Sequence, residues 1–156
     1  MLRLALVVAA LGLPHHGVLV PGKSLAGVGL GDTPAAVRAH WGARYGVCGR
    51  CRERTWYYLS DPAMGDPSGV GVSFHRGRVS AAFTLGSPPG WRTREGLHLG
   101  DDVTRVHTLY GELSPKVCVG YRALSMRESG AVTSIYATGE SVYGFALTQP
   151  GEPVCR

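Results

Sequence analysis

The sequence predicts an α+β protein made of two tandem helix-plus-antiparallel-sheet repeats, and three observations predict it. Residues 27–42 (GVGLGDTPAAVRAHWG) and 96–111 (GLHLGDDVTRVHTLYG) both fit G-[VL]-x-L-G-D-x4-V-x3-[WY]-G without a gap, at one constant offset from Gly27 to Gly96 and from Gly42 to Gly111. After each copy the apolar residues change from helical spacing to alternation, which marks a helix giving way to strands. The same strand ending then recurs, carrying Gly77 onto Gly139 and Phe83 and Leu85 onto Phe145 and Leu147. The expected limits are 1–22 for a signal peptide or mobile leader, 24–86 for repeat one, 87–94 for a linker and 95–156 for repeat two. A chain of 156 residues is long enough for two small units sharing a core.

The N-terminus has one basic residue, Arg3, and then an apolar run from Leu4 to Leu13. Ten apolar residues are too few for a bilayer, which takes about 20, but suit the central region of a secretory signal. The competing reading is a buried N-terminal strand or helix. From Pro14 to Ser24 the residues lack periodicity and include two prolines, as a leader or mobile arm would. Stable membrane insertion is not expected.

In repeat one, Asp32 or Thr33 caps a helix by accepting a hydrogen bond from free backbone N–H groups, and Pro34 fits the first turn. Val37 and Trp41 share one face, and Gly42 ends the helix. In repeat two, Asp101 or Asp102 caps, Val103, Val106 and Tyr110 form the buried stripe, and Gly111 stops the helix. Thr55–Leu59 reads as a strand, followed by a glycine- and proline-rich loop from Leu59 to Gly69. Val70, Val72 and Phe74 alternate, then Val79, Ala81, Phe83 and Leu85, giving a hairpin turning at Gly77. The opposite sheet face would carry Ser73, His75, Ser80, Ala82 and Thr84, then Val142, Gly144 and Ala146, a smooth surface of small side chains. The linker GSPPGWRT is short and semi-rigid, with Trp91 over the junction.

The formal charge is +5, with 14 arginines among 16 basic residues. Arg50, Arg52 and Arg54 would form one basic stripe if all lay on a strand, yet no nucleic-acid motif accompanies them, so a nucleic-acid partner is not expected. Cys48-Gly49-Arg50-Cys51 follows a helix, whereas a redox CxxC opens one and draws a lowered thiol pKa from its N-terminus. A zinc site would need further ligands at comparable spacing, and Cys118, Cys155 and the histidines are scattered. Two disulfides in an oxidising compartment are the first reading, metal the second and redox catalysis the third. Four cysteines allow three pairings, of which Cys48–Cys51 with Cys118–Cys155 is preferred and the others stay open. Gly27, Gly29 and Gly31 lack phosphate-loop spacing, and no nucleophile elbow is present, so no catalytic residue and no cofactor are expected.

The element L-G-D-T-P-A-A-V, closed by a glycine and followed by a cysteine, resembles the repeat of β-lactamase inhibitory protein and, more distantly, the SmpA/OmlA outer-membrane lipoprotein domain. The likeness spans Leu25–Leu85 and Glu95–Gln149. It implies a secreted protein whose two sheets join into one concave surface that grips a partner protein, with the 59–69 loop protruding. The departures are Cys51, only three residues after Cys48, and the absence of a lipidated N-terminal cysteine.

The expectation is therefore a secreted or periplasmic, non-catalytic binding or inhibitory module, not an enzyme, whose partner is an extracellular or envelope protein. Its expected contact residues are Trp56, Tyr58, Asp61, Asp66 and His75, exposed aromatics being common contact anchors. The alternatives are a metal-binding or thiol-redox protein using CGRC, and an envelope-structural protein.

Overall fold

A computed structural model describes residues 12–58 and 69–156. Its strands and helices, in chain order, are β1 (Val18–Val20), β2 (Ser24–Leu25), β3 (Val28–Gly29), α1 (Pro34–Trp41), β4 (Gly46–Val47), β5 (Arg54–Tyr58), β6 (Gly69–His75) and β7 (Arg78–Leu85). They continue with β8 (Arg92–Thr93), α2 (Val103–Tyr110), β9 (Ser114–Cys118), β10 (Tyr121–Glu128), β11 (Ala131–Thr138) and β12 (Ser141–Thr148). The chain is thus mostly β, which corrects the α+β expectation: among the described residues there are twelve strands in two sheets and only two helices, of eight residues each.

The larger sheet has eight strands in the order β4-β5-β6-β7-β12-β11-β10-β9, antiparallel throughout, and the smaller has the order β3-β2-β1-β8. The two halves of the chain share one sheet instead of carrying one each. β7 and β12 pair directly, from Gly144 opposite Leu85 to Thr148 opposite Ala81, and make one continuous ladder. Several strands carry no side-chain period in the sequence, and backbone hydrogen bonds hold them in their sheets. The stretch 14–24, read as an arm, contains β1 and the start of β2, with Leu19 wholly buried. The linker contains β8, which runs parallel to β1. Tyr121–Glu128, a stretch to which the sequence assigns no element, is an eight-residue strand.

Both helices are short for a mechanical reason: each has a cap at one end and a glycine stop at the other. Thr33 Oγ1 accepts from Ala36 N at 3.2 Å, and the Asp102 carboxylate accepts from Thr104 N at 2.8 Å. Gly42 and Gly111 end the helices at φ 84° and 71°, values that glycine reaches without a Cβ penalty. The aspartates shared by both copies of the motif do other work. Asp32 accepts from Gly29 N and Asp101 from His98 N, each at 2.8 Å, closing the turn ahead of the helix. The closed turn then hydrogen-bonds to a strand: Gly31 N to Val79 O and Val79 N to Asp32 O in one copy, Gly100 N to Val142 O and Val142 N to Asp101 O in the other. The motif therefore docks each helix onto the start of β7 or β12.

The helices and the small sheet cover one face of the large sheet. There Trp41 meets Tyr58 edge-on at 5.6 Å and Trp91 at 5.9 Å, within an apolar cluster that includes Val37, Val72, Val106, Ile135 and Phe145. Trp91 Nε1 donates to Pro14 O at 2.9 Å, and a Cβ on Gly17 would come closer than 3.0 Å to three atoms of the Trp91 ring. Pro14 and Gly17 are thereby anchored against Trp91, while His15 and His16 between them stay exposed.

Two bulges decide which residues reach the other face. Ser73 pairs with Ala81 but Phe74 with Val79, so Ser80 is an extra residue in β7. Tyr136 pairs with Gly144 but Ala137 with Val142, so Tyr143 is an extra residue in β12. One extra residue inverts the alternation beyond it. Val79 faces the helices, yet so do Ala82 and Thr84, while Ala81, Phe83 and Leu85 turn to the opposite face. The expected smooth face of small residues is corrected accordingly: it carries a second apolar cluster of Phe83, Ala123, Tyr136 and Ala146 with Tyr57, Tyr121 and Tyr143 packed against it.

Candidate functional site

The aromatic face is flat enough to be crossed by chain because glycines stand beside its rings. A Cβ at Gly71 would come closer than 3.0 Å to three atoms of the Phe83 ring, and one at Gly144 would collide with the Thr84 carbonyl oxygen. Phe83 therefore lies over β6 and Tyr136 over β12, each ring filling the space a neighbouring strand leaves empty. Tyr57 meets Phe83 edge-on at 6.2 Å, and Tyr121 meets Tyr136 at 5.1 Å.

The chain after β12 crosses this face. Gln149 N donates to Ser80 O at 2.8 Å, Tyr136 Oη donates to Val154 O at 2.6 Å, and the Cys118–Cys155 disulfide fastens the tail to β9. Tyr121 Oη donates to Arg156 O and accepts from Arg156 N. Burial pushes the Tyr136 hydroxyl above the ordinary tyrosine range, with the Arg156 charge acting the other way, so the ring stays neutral and keeps its proton for Val154.

Between this tail and the 51–53 bend lies a cavity of about 350 Å³. Thr55, Tyr57, Ser73 and Phe83 contribute to its lining from the sheet, the bend adds Arg52 and Glu53, and the tail adds Glu152 and Arg156. The Thr55 and Ser73 hydroxyls are 2.9 Å apart, and Tyr57 Oη is 3.7 Å from Cys51 Sγ. Both rims are covalently fixed. Cys48–Cys51 closes the bend and Cys118–Cys155 holds the tail, with Cα–Cα separations of 5.6 Å in each pair. This is the pairing preferred from the sequence, and the pair of disulfides indicates an oxidising compartment.

Of the expected contact residues that are described, His75 alone lies at this cavity, where its Nδ1 is 3.4 Å from Glu53 Oε1. Trp56 and Tyr58 are placed elsewhere: both are buried on the helix-covered face, Trp56 stacked on Tyr45 at 3.8 Å and Tyr58 donating to Gly42 O at 3.1 Å. Strand alternation sends Tyr57, between them, to the cavity. Asp61 and Asp66 lie outside the described residues. The basic stripe does not form, because Arg50 and Arg52 sit in the bend ahead of β5; Arg54 alone is on the strand, 5.2 Å from the Trp56 ring centroid. Sequence reasoning missed Thr55, Tyr57, Phe83 and Arg156. The TWYY run held the signal for Tyr57, but the bulge at Ser80 and the path of the tail have none.

The CGRC disulfide lies between β4 and β5, away from any helix N-terminus, so no helix dipole favours a thiolate there. Among the described residues, no three His, Cys, Asp or Glu side chains group as metal ligands would, and no helix is long and apolar enough to cross a membrane. Compared with known proteins, the chain matches no family model, no curated protein and no solved structure.

Proposed function

We propose that this is a secreted, non-catalytic protein-binding or inhibitory module that uses the face of its large sheet opposite the helices together with the 59–69 loop. The observation that carries this reading is the cavity between two disulfide-fixed rims, floored by Tyr57 and Phe83, on a sheet face that also carries the half-buried rings of Tyr121 and Tyr143. Rigid aromatic surface with few side-chain torsions to freeze is what protein contacts favour. A net charge of +5 suits an acidic partner. The alternative is a metal-binding or thiol-redox protein acting through CGRC.

A photoreactive amino acid placed at Arg52 or Tyr143, with Thr108 on the exposed side of α2 as control, tests the reading in secreting cells. Discrete adducts from the two face positions and none from Thr108 support it. Equal labelling from all three positions, or none from the face, overturns it. Retention of adducts after Cys48 and Cys51 are both replaced by serine separates binding from CGRC chemistry.

A further inference from the structure

We infer that the cavity is a subsite for a carboxylate, and that Arg156 is the group that reads it. This rests on the binding-module reading and names what the partner presents: an aspartate or glutamate side chain. Arg156 contributes to the cavity lining, with its guanidinium carbon 5.4 Å from the centroid of the Phe83 ring. Its Nε and Nη2 are buried and have no hydrogen-bond partner, although the guanidinium as a whole lies beside the Tyr136 hydroxyl and interacts with it. These two nitrogens form the side-on edge of the guanidinium, whose parallel N–H groups match the two oxygens of one carboxylate. Buried donors, and charged ones above all, are ordinarily paired. A small rotation of the fork into the cavity presents both donors to a ligand.

The surroundings fit the same chemistry. Thr55 and Ser73 bring hydroxyls to the sheet side, and Arg52 adds a second guanidinium at the rim. Of the two glutamates that line the cavity, Glu53 faces His75, and Glu152 is not within ion-pair distance of a cation among the described residues. The Tyr57 and Phe83 rings give the methylene stem of an acidic side chain an apolar wall. A tail pinned at Cys155 and through both the N–H and carbonyl of Arg156 fixes the backbone of Arg156 at the cavity, so only its side chain has to turn to meet a ligand.

The test titrates the oxidised full chain with N-acetyl-glutamate N-methylamide, following the arginine Nε–H and tyrosine ring resonances by NMR, with N-acetyl-glutamine N-methylamide as the neutral isostere and inorganic phosphate as a second anion. The expected result is at least tenfold tighter binding of the glutamate probe than of either control, lost in Arg156→Gln and partly kept in Arg156→Lys. Equal affinity for the two amides, or an unchanged preference in Arg156→Gln, overturns the proposal; preference for phosphate overturns the carboxylate assignment. Unchanged methyl resonances of Val106 and Ile135 show that the variants keep the fold. A partner adduct that persists undiminished in Arg156→Gln sinks this inference while leaving the binding-module reading intact. Tight glutamate binding with no protein adduct keeps the subsite, assigns it to a small free acid and sinks that reading instead.

Discussion

Replacing Gly71 by alanine adds one methyl group and should cost far more than a methyl group usually does. Gly71 is not among the glycines with positive φ, so alanine meets no backbone penalty there. The difficulty is steric, since the new Cβ would come closer than 3.0 Å to three atoms of the Phe83 ring. Phe83 is held in turn by Tyr57 at 6.2 Å, by the Arg156 guanidinium at 5.4 Å and by its place in the second apolar cluster. Ring and strand cannot both stay, and overpacking of this kind costs about 1–3 kcal/mol. At about 2–4 °C per kcal/mol for a chain of this size, the melting temperature should fall by about 2–12 °C. Thermal and urea unfolding of Gly71→Ala, Phe83→Leu and the double variant measure this, with Gly77→Ala as a comparison in which φ is +76° and nothing lies within 4 Å. Phe83→Leu opens the space that the methyl needs, so the double variant should recover at least half of the Gly71→Ala loss relative to Phe83→Leu. Strict additivity, or a Gly71→Ala melting curve indistinguishable from the parent, would refute the claim that Phe83 lies over β6.

Val106→Asp puts a carboxylate at a fully buried position, a change that costs several kcal/mol, and the whole chain should unfold as one transition because the sheet is continuous; a normal melting curve would contradict the placement of α2. Loss of Cys118–Cys155 opens a 37-residue span and should destabilise by about 4 kcal/mol, whereas loss of Cys48–Cys51, separated by three residues, should cost less than about 2 kcal/mol, as paired serine variants in urea would show. A chain beginning at Lys23 lacks β1 and the buried Leu19 and should melt markedly lower than one beginning at Gly12; equal stability would mean that β1 contributes nothing. The Asp102 carboxyl is held below its ordinary range by hydrogen bonds from Thr104, so its contribution is complete above that range and disappears as pH falls through the depressed value; Asp102→Asn should flatten the acid limb of the stability profile.

The helices were legible because their determinants are local: a capping side chain, four-residue apolar spacing and a stop glycine all lie within ten residues of one another. The hairpin of β6 and β7 was legible up to Ser80. Beyond it the alternation of Val79, Ala81, Phe83 and Leu85 looks unbroken, yet a single extra residue assigns Val79 to one face and the other three to the opposite one. Bulges depend on cross-strand pairing, which no local pattern records. The same limitation hid the site. Trp56 and Tyr58 outrank Tyr57 in bulk and promise as contact residues, but face is decided by which side α1 packs on, and Trp41 settles that through Tyr58. Arg156 carries no motif at all; the Cys118–Cys155 disulfide and the Tyr121 and Tyr136 hydroxyls bring it back across the sheet. The strands β1, β2 and β8 are two or three residues long and were invisible for the opposite reason, since their pairing leaves almost nothing in composition.

The join between β7 and β12 has a consequence for what the molecule exposes to its own copies. Each of these strands is eight residues long, largely buried, and would be an open template for intermolecular pairing if the halves of the chain were parted. Joining them hides both templates at the centre and leaves β4 and β9 at the margins. β4 offers only two residues, and β9 carries Pro115, which has no N–H to donate, beside the charged Lys116. The sheet thus ends in margins that offer a neighbour few backbone partners, so cutting the chain between residues 87 and 94 should expose both central templates and give two fragments that seek each other or aggregate.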